Sequence, residues 1–248
     1  MRIKFINPDS GLDRQQLAAR EALLLTTARP DTQISMICPQ CTEVCIDSDL
    51  DVAVAAPEIV QLALDAQQEG YDAVALYCFS DPGLAACREV LSIPVLGGAQ
   101  CSLALATQLG YHFSVLTTDE RRVPQKEAFV RALGYGSFLT SVRSAQHGPD
   151  QIRTATGDDQ LIAQLAEAAK KCTADGADTV ILGCLSFAGL APQVSALVGI
   201  PVIDPAMVLV NTAEMLVAQS LSHSKRAYPT PPRSPRCWKA GKIDLSAQ

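Results

Sequence analysis

One pattern of fifteen residues occurs twice in the chain. Gly70-Tyr-Asp-Ala-Val-Ala-Leu-Tyr-Cys78-Phe-Ser-Asp-Pro-Gly-Leu84 aligns without gaps to Gly176-Ala-Asp-Thr-Val-Ile-Leu-Gly-Cys184-Leu-Ser-Phe-Ala-Gly-Leu190, and eight positions are identical. Average composition gives roughly one match in such a stretch. Further on, Ser92-Ile93-Pro94-Val95 answers Gly199-Ile200-Pro201-Val202, with one extra residue in the second copy. The segment Phe113 to Thr118 precedes the second copy as Ile3 to Pro8 precedes the first. Shared burial accounts for the repeated Val, Leu and Gly, but not for a Cys and a Ser at matched turn positions. A duplication of this kind predicts two similar lobes of about 100 residues each.

Each copy reads as strand and helix in alternation. Arg2–Ile6 alternates with period two and stops at the turn Asn7-Pro8-Asp9-Ser10. Helical spacing follows over about 12–27, then a strand at Ile34–Cys38 and a second helical stretch over 53–69, closed by Gly70. Ala73–Tyr77 has the signature of a buried strand. Strand, helix and strand in repeated succession predict parallel sheets with right-handed crossovers. The expected fold is therefore α/β, with two pseudo-twofold-related lobes, each a parallel sheet flanked by helices, and the active site in the cleft between them. The expected division is a first lobe over 1–95, completed by a C-terminal helix at about 207–222, and a second lobe over 96–206. Residues 223–248 form a basic, Pro-rich tail with Tyr228 and Trp238 as its candidates for packing on the body.

With 248 residues, 48% of them apolar, the chain buries a sizeable core, which excludes disorder. Acidic side chains outnumber basic ones, 26 to 20, which argues against nucleic acid as the partner. Two uncharged stretches, 90–118 and 179–203, carry internal Pro and Gly and read as strand–turn–helix rather than membrane spans. No leader is read before the first strand, so the nine cysteines are expected to be reduced thiols and the protein cytoplasmic.

In parallel α/β sheets the carboxyl ends of the strands face the ligand crevice. Cys78 and Cys184 each end such a strand, where a helix is expected to begin and its dipole to favour the thiolate. Two thiols confronting one another across a cleft suit two-base racemisation, in which one takes a proton and the other delivers one to the opposite face. The chain has neither a phosphate loop nor a G-x-G-x-x-G after its first strand, so no cofactor is expected. The carbanion must then be held by hydrogen-bond donors. The turns Cys78-Phe79-Ser80 and Cys184-Leu185-Ser186 supply backbone N–H groups, together with Asn7 and the hydroxyls of Thr117 and Thr118.

The remaining candidates read as structural. Cys87, Cys101 and Cys172 have no repeat partner and read as small buried hydrophobes. Cys38, Cys41 and Cys45 lack a fourth ligand at usable spacing, His112 being far along the chain, so no metal is expected. His147 and His223 read as solvated. Asp72 and Asp178 read as turn residues at the far end of the sheets.

The opening Ile6-Asn7-Pro8-Asp9-Ser10, the turn Tyr77–Gly83 and the turn Ile181–Cys184 resemble the hydantoin racemase family. That family includes allantoin racemases and belongs to the aspartate/glutamate racemase superfamily. The likeness runs over nearly the whole chain. It implies cofactor-independent racemisation of a small cyclic ureide, a 5-substituted hydantoin or allantoin, with the catalytic pair on Cys78 and Cys184. Substrate contacts carry over onto Asn7, the turns Phe79–Ser80 and Gly183–Leu185, Thr117, Thr118 and the Asp204-Pro205 turn. In that family the loop after the second strand covers the substrate, which brings in Pro39 and Ile46. Two departures alter the pocket floor: Ser80 stands where relatives often have Gly, and Leu185, Ser186 and Phe187 stand in place of a small, Gly-rich turn.

Other readings compete. An amino-acid racemase calls for a cationic clamp on the substrate carboxylate. The cleft-facing turns contain no Arg or Lys, although Arg121 and Arg122 follow Thr118 closely, so a neutral ring is favoured. A decarboxylase on the same fold needs only one Cys, and a non-catalytic binder gains nothing from two facing thiols. A homo-oligomer is compatible with the sequence, the tail being the one hint of subunit contact.

Overall fold

A computed structural model describes residues 1–146 and 159–232. His147, Trp238 and the part of the tail beyond residue 232 lie outside the described residues. The first half runs β1 (Arg2–Ile6), α1 (Arg14–Leu25), β2 (Gln33–Ile37), α2 (Asp49–Gln68), β3 (Ala73–Leu76), α3 (Leu84–Val90) and β4 (Val95–Gly97). Its strands are parallel, in the order β2-β1-β3-β4. After α4 (Gly98–Leu109) come β5 (Phe113–Thr117), α5 (Val123–Ala132), β6 (Leu139–Ser144), α6 (Asp159–Ala174), β7 (Thr179–Leu182), α7 (Ala191–Val198), β8 (Val202–Ile203) and α8 (Pro205–Ala218). The second sheet is also parallel, in the order β6-β5-β7-β8. The two orders match strand for strand, as the duplicated sequence requires.

Strand alternation divides the core. Ile3, Phe5, Ala73 and Ala75 from the first sheet and Phe113, Val115 and Ile181 from the second belong to one central cluster. Their neighbours in sequence point the other way. Ile6, Val74 and Leu76 pack under α2 and α3, while Leu116, Val180 and Leu182 pack under α6 and α7. A period-two pattern with both faces apolar gives a sheet covered on both sides. The central cluster is shared between the sheets, and two helices tie them: α4 packs on β7, and α8 packs on β3 and β4.

Local signals set the helix starts. Asp13 and Gln16 form a reciprocal capping box at α1, and Ser48 caps α2 with Asp49 and Asp51 in its first turn. That cap starts α2 four residues before the apolar spacing begins at Ala53. The repeated acids serve the sheet bottoms: Asp72 accepts from the Arg2 N–H at 2.6 Å, and Asp178 accepts from the Tyr111 and His112 N–H groups at 2.8 and 3.1 Å.

The chain after α8 folds back on the first half. Lys225 Nζ donates to the Arg88, Glu89 and Leu91 carbonyls at the C-terminal end of α3. His223, expected to be solvated, is half-buried, and its Nε2 accepts the Val95 N–H at 2.8 Å. The uncharged stretches resolve into short strands and helices, and no described helix is long and apolar enough to cross a membrane.

Candidate active site

The strands that carry the repeat end on one cavity. Asn7 follows β1, Cys78, Phe79 and Ser80 follow β3, Thr117 ends β5 with Thr118 next to it, and Gly183, Cys184 and Leu185 follow β7. Both cysteines thus come from equivalent positions of the two sheets. Asn7 is held by its own N–H on the Ile37 carbonyl at 2.9 Å, and its side-chain Nδ2 is buried with no hydrogen-bond partner. Ile46 also lines the cavity.

Close packing fixes the two cysteine turns. A Cβ on Gly183 would fall 2.6 Å from the Leu116 carbonyl oxygen, so only Gly lets β7 end against β5 there. A Cβ on Gly98 would fall 2.9 Å from the Cys78 carbonyl oxygen, so the first turn of α4 presses on the Cys78 turn. Asp81, in the left-handed region at φ 45°, reaches α4 as well: its two carboxylate oxygens accept the Ala99 and Gln100 N–H groups at 3.0 Å each. Burial pushes the Asp81 carboxyl up to about 6.

The charge beside Cys78 differs from the expected helix dipole. Helix α3 begins only at Leu84, capped by Gly83, so Cys78 is not at a helix N-terminus. Cys184 caps only the short 3-10 turn Leu185–Phe187. The cation near Cys78 is Lys126, on α5, which is 5% exposed. Its Nζ donates to the Phe79 carbonyl at 3.0 Å and to Ser80 Oγ at 2.9 Å, and the Ser80 N–H in turn donates to Cys78 Sγ at 3.4 Å. Burial pushes the Cys78 thiol up to about 12, opposed by the Lys126 charge. Burial likewise pushes the Lys126 ammonium down to about 8, opposed by Cys78.

Cations line this cavity, contrary to the sequence expectation. Arg20, Arg122 and Lys126 all face it, as do Asp9 and Asp47. Arg20 lies three residues after Leu17 and four before Leu24, and Lys126 three after Val123 and four before Val130. Single basic residues in step with an apolar helix face were the available signal. Tyr77, missed as a site residue, also lines the cavity.

Two expected contacts are absent from the lining. Pro205 opens α8, buried behind Asp204, whose carboxylate accepts the Ala206 and Gly189 N–H groups and so serves as a cap. Pro39 is buried beside Cys38, which sits in the central core with its Sγ against the Leu12 carbonyl. The covering loop meets the cavity further along, through Cys45, Ile46 and Asp47. Among the described residues no group of three or more His, Cys, Asp or Glu is arranged to hold a metal ion.

Residues 3–213 match the family model described as Asp/Glu/hydantoin racemase. A hydantoin racemase of Rhizobium meliloti is 33% identical over 237 residues, covering 92% of this chain and 95% of that protein. A hydantoin racemase of Pseudomonas sp. (strain NS671) is 32% identical over 226 residues, covering 91% and 89%. The solved allantoin racemase from Klebsiella pneumoniae superposes with a TM-score of 0.86 at 26% identity, covering 96% of this chain and 97% of that one. Paired parallel sheets, a cavity at their matched strand ends and a family match over most of the chain lead to one conclusion: the chain belongs to the Asp/Glu/hydantoin racemase family and is an isomerase of the racemase type.

Proposed function

We propose that the protein racemises a 5-substituted hydantoin or allantoin without a cofactor, by proton transfer between the ring stereocentre and the Cys78 and Cys184 thiols. The observation that carries this reading is that both cysteines stand at the same strand end of two sheets with the same order, and line one cavity. A planar carbanion placed between two such groups is reprotonated on either face. One cysteine, as thiolate, takes the C5 proton, and the electron pair moves into the ring C4 carbonyl. The other, as thiol, gives its proton to the opposite face of C5 and is left as the thiolate.

The developing oxyanion needs a donor that is already in place. Asn7 Nδ2 is such a donor, buried in the cavity wall and unpaired. Lys126 supports the thiolate form of Cys78 through its charge and through Ser80, which also donates its N–H to the sulfur. Leu12, Ile46 and Phe79 add apolar wall. Substrate contacts are assigned to Asn7, Phe79, Ser80, Thr117, Thr118, Gly183, Leu185 and Ile46 on the same lining.

The test is circular dichroism on enantiopure allantoin and 5-alkylhydantoins in D₂O, with reductant and no added cofactor. Decay of the signal with deuterium entering at C5, faster than the spontaneous rate, is the expected result. A signal that decays only at the spontaneous rate for all of these compounds, from folded protein with free thiols, overturns the reading.

A further inference from the structure

Three cations face the cavity, and they are more than a racemase of neutral rings requires. Arg122 is 5% exposed, yet its Nη1 has no hydrogen-bond partner, and its nearest carboxylate oxygen, Asp47 Oδ1, is 3.8 Å away. Asp47 is itself paired with Arg121 at the rim. Arg20 also has a buried Nη1 without a partner, its guanidinium carbon lying 5.9 Å from the Tyr77 ring centroid. Lys126 has two acceptors, the Phe79 carbonyl and Ser80 Oγ, for three donor hydrogens. Of the two acids on the lining, Asp9 accepts the Ile46 N–H, and Asp47 pairs with Arg121 and stands 3.8 Å from Arg122 Nη1. A buried guanidinium with an unmet N–H is costly, and the cost is relieved by an acceptor brought in from solution.

A guanidinium prefers a planar, charged, bidentate acceptor to a neutral carbonyl. Neither thiol nor ring needs Arg20, which comes from α1 on the first half, while Arg122 comes from the segment after β5 on the second. Both nevertheless line the cavity that holds Cys78 and Cys184. We infer that Arg20 and Arg122 form a carboxylate subsite, and that the preferred substrates are hydantoins whose C5 substituent ends in a carboxylate. This inference rests on the racemase reading for its chemistry, but the subsite itself is a statement about binding.

The experiment compares 5-(2-carboxyethyl)hydantoin with 5-(2-carbamoylethyl)hydantoin, which match in shape and differ in charge. Racemisation rates of the enantiopure compounds and calorimetric affinities of their racemates are measured on wild type, Arg122→Gln and Arg20→Gln. In wild type the carboxylate is expected to exceed the amide by about tenfold in kcat/KM and in affinity, the scale of one charge-assisted pair. Each substitution is expected to cut that ratio by at least about fivefold, and Arg20, being only half-buried, keeps the test valid if Arg122→Gln does not fold. An amide bound and turned over as well as the carboxylate overturns the subsite while leaving the racemase reading intact, as does a ratio unmoved in both variants. Selective binding of the carboxylate without any racemisation, of it or of neutral hydantoins, overturns the racemase reading and supports the subsite.

Discussion

The Tyr77 hydroxyl donates a 3.1 Å hydrogen bond to the Leu185 carbonyl, joining the residue before Cys78 to the residue after Cys184. The bond is buried, and Tyr77 is 5% exposed. It ties the two cysteine turns together from inside, independently of any substrate. Burial also pushes the phenol well above its ordinary value, so it remains a donor throughout the working range. Tyr77→Phe keeps the ring and removes the bond, leaving a buried carbonyl unpaired at a cost of about 1–3 kcal/mol. Urea denaturation is expected to report that loss. A fall in kcat larger than the change in KM is expected with it, because the lost contact is between the two turns.

The paired cysteines make a prediction that single-base chemistry does not. Cys78→Ser and Cys184→Ser are each expected to abolish racemisation, with a loss of at least about 100-fold. Each variant is expected to exchange the C5 proton of one enantiomer only for deuterium, and the two variants to select opposite enantiomers. Chiral chromatography with mass detection in D₂O reads both quantities. Full racemisation by either variant removes the two-base scheme.

Gly98 tests how far α4 governs the Cys78 turn. Its missing Cβ would lie 2.9 Å from the Cys78 carbonyl oxygen, a backbone atom that has no side-chain freedom to yield, and 3.3 Å from Leu185 Cδ1. Gly98→Ala is therefore expected to push the turn toward the cavity. Overpacking of this kind costs about 1–3 kcal/mol. Activity is expected to fall by at least about tenfold, since displacement of about 1 Å at a reacting group is felt at that scale. Thermal melts separate the two effects.

The duplicated Cys and Ser made the two turns legible in the sequence because burial alone does not repeat a polar residue at a turn. Strand alternation did the same for the sheets, since both faces are covered and every strand position is constrained. What sequence spacing did not carry was which face of a helix closes over the strand ends. Lys126 and Arg20 sit on helix faces that also carry apolar residues, and only the packing of α5 and α1 turns them into cavity cations. Pro205 failed for the opposite reason: its neighbour Asp204 is drawn to the Gly189 and Ala206 amides, away from the cavity. The helix expected at Cys78 starts six residues later, at Leu84, because Asp81 and Gly83 turn the chain first.

Lys126 yields the sharpest pH prediction. Cys78 and Lys126 exchange influence across a buried contact, so their protons leave as a pair. Below about 8 the pair carries both protons, as thiol and ammonium, and has no base to offer. The proton lost near that pH comes mainly from the Lys126 ammonium, and the singly protonated pair contains thiolate with ammonium as a minor tautomer whose amount rises in step with it. For the enantiomer whose proton faces Cys78, kcat/KM is expected to rise about tenfold per pH unit up to about 8 and then level. Lys126→Met is expected to abolish that break and lower the rate at pH 8 by about 100-fold. Stability moves with it. The folded pKa lies below the usual 10.5, so between about 8 and 10.5 the unfolded chain holds more protons than the native one. Native stability relative to Lys126→Met is therefore expected to increase with pH across that window, and below it the buried charge exerts its full penalty. Melting curves of the two proteins from pH 7 to 10 check the sign, and an ammonium that stays solvated would leave their difference flat.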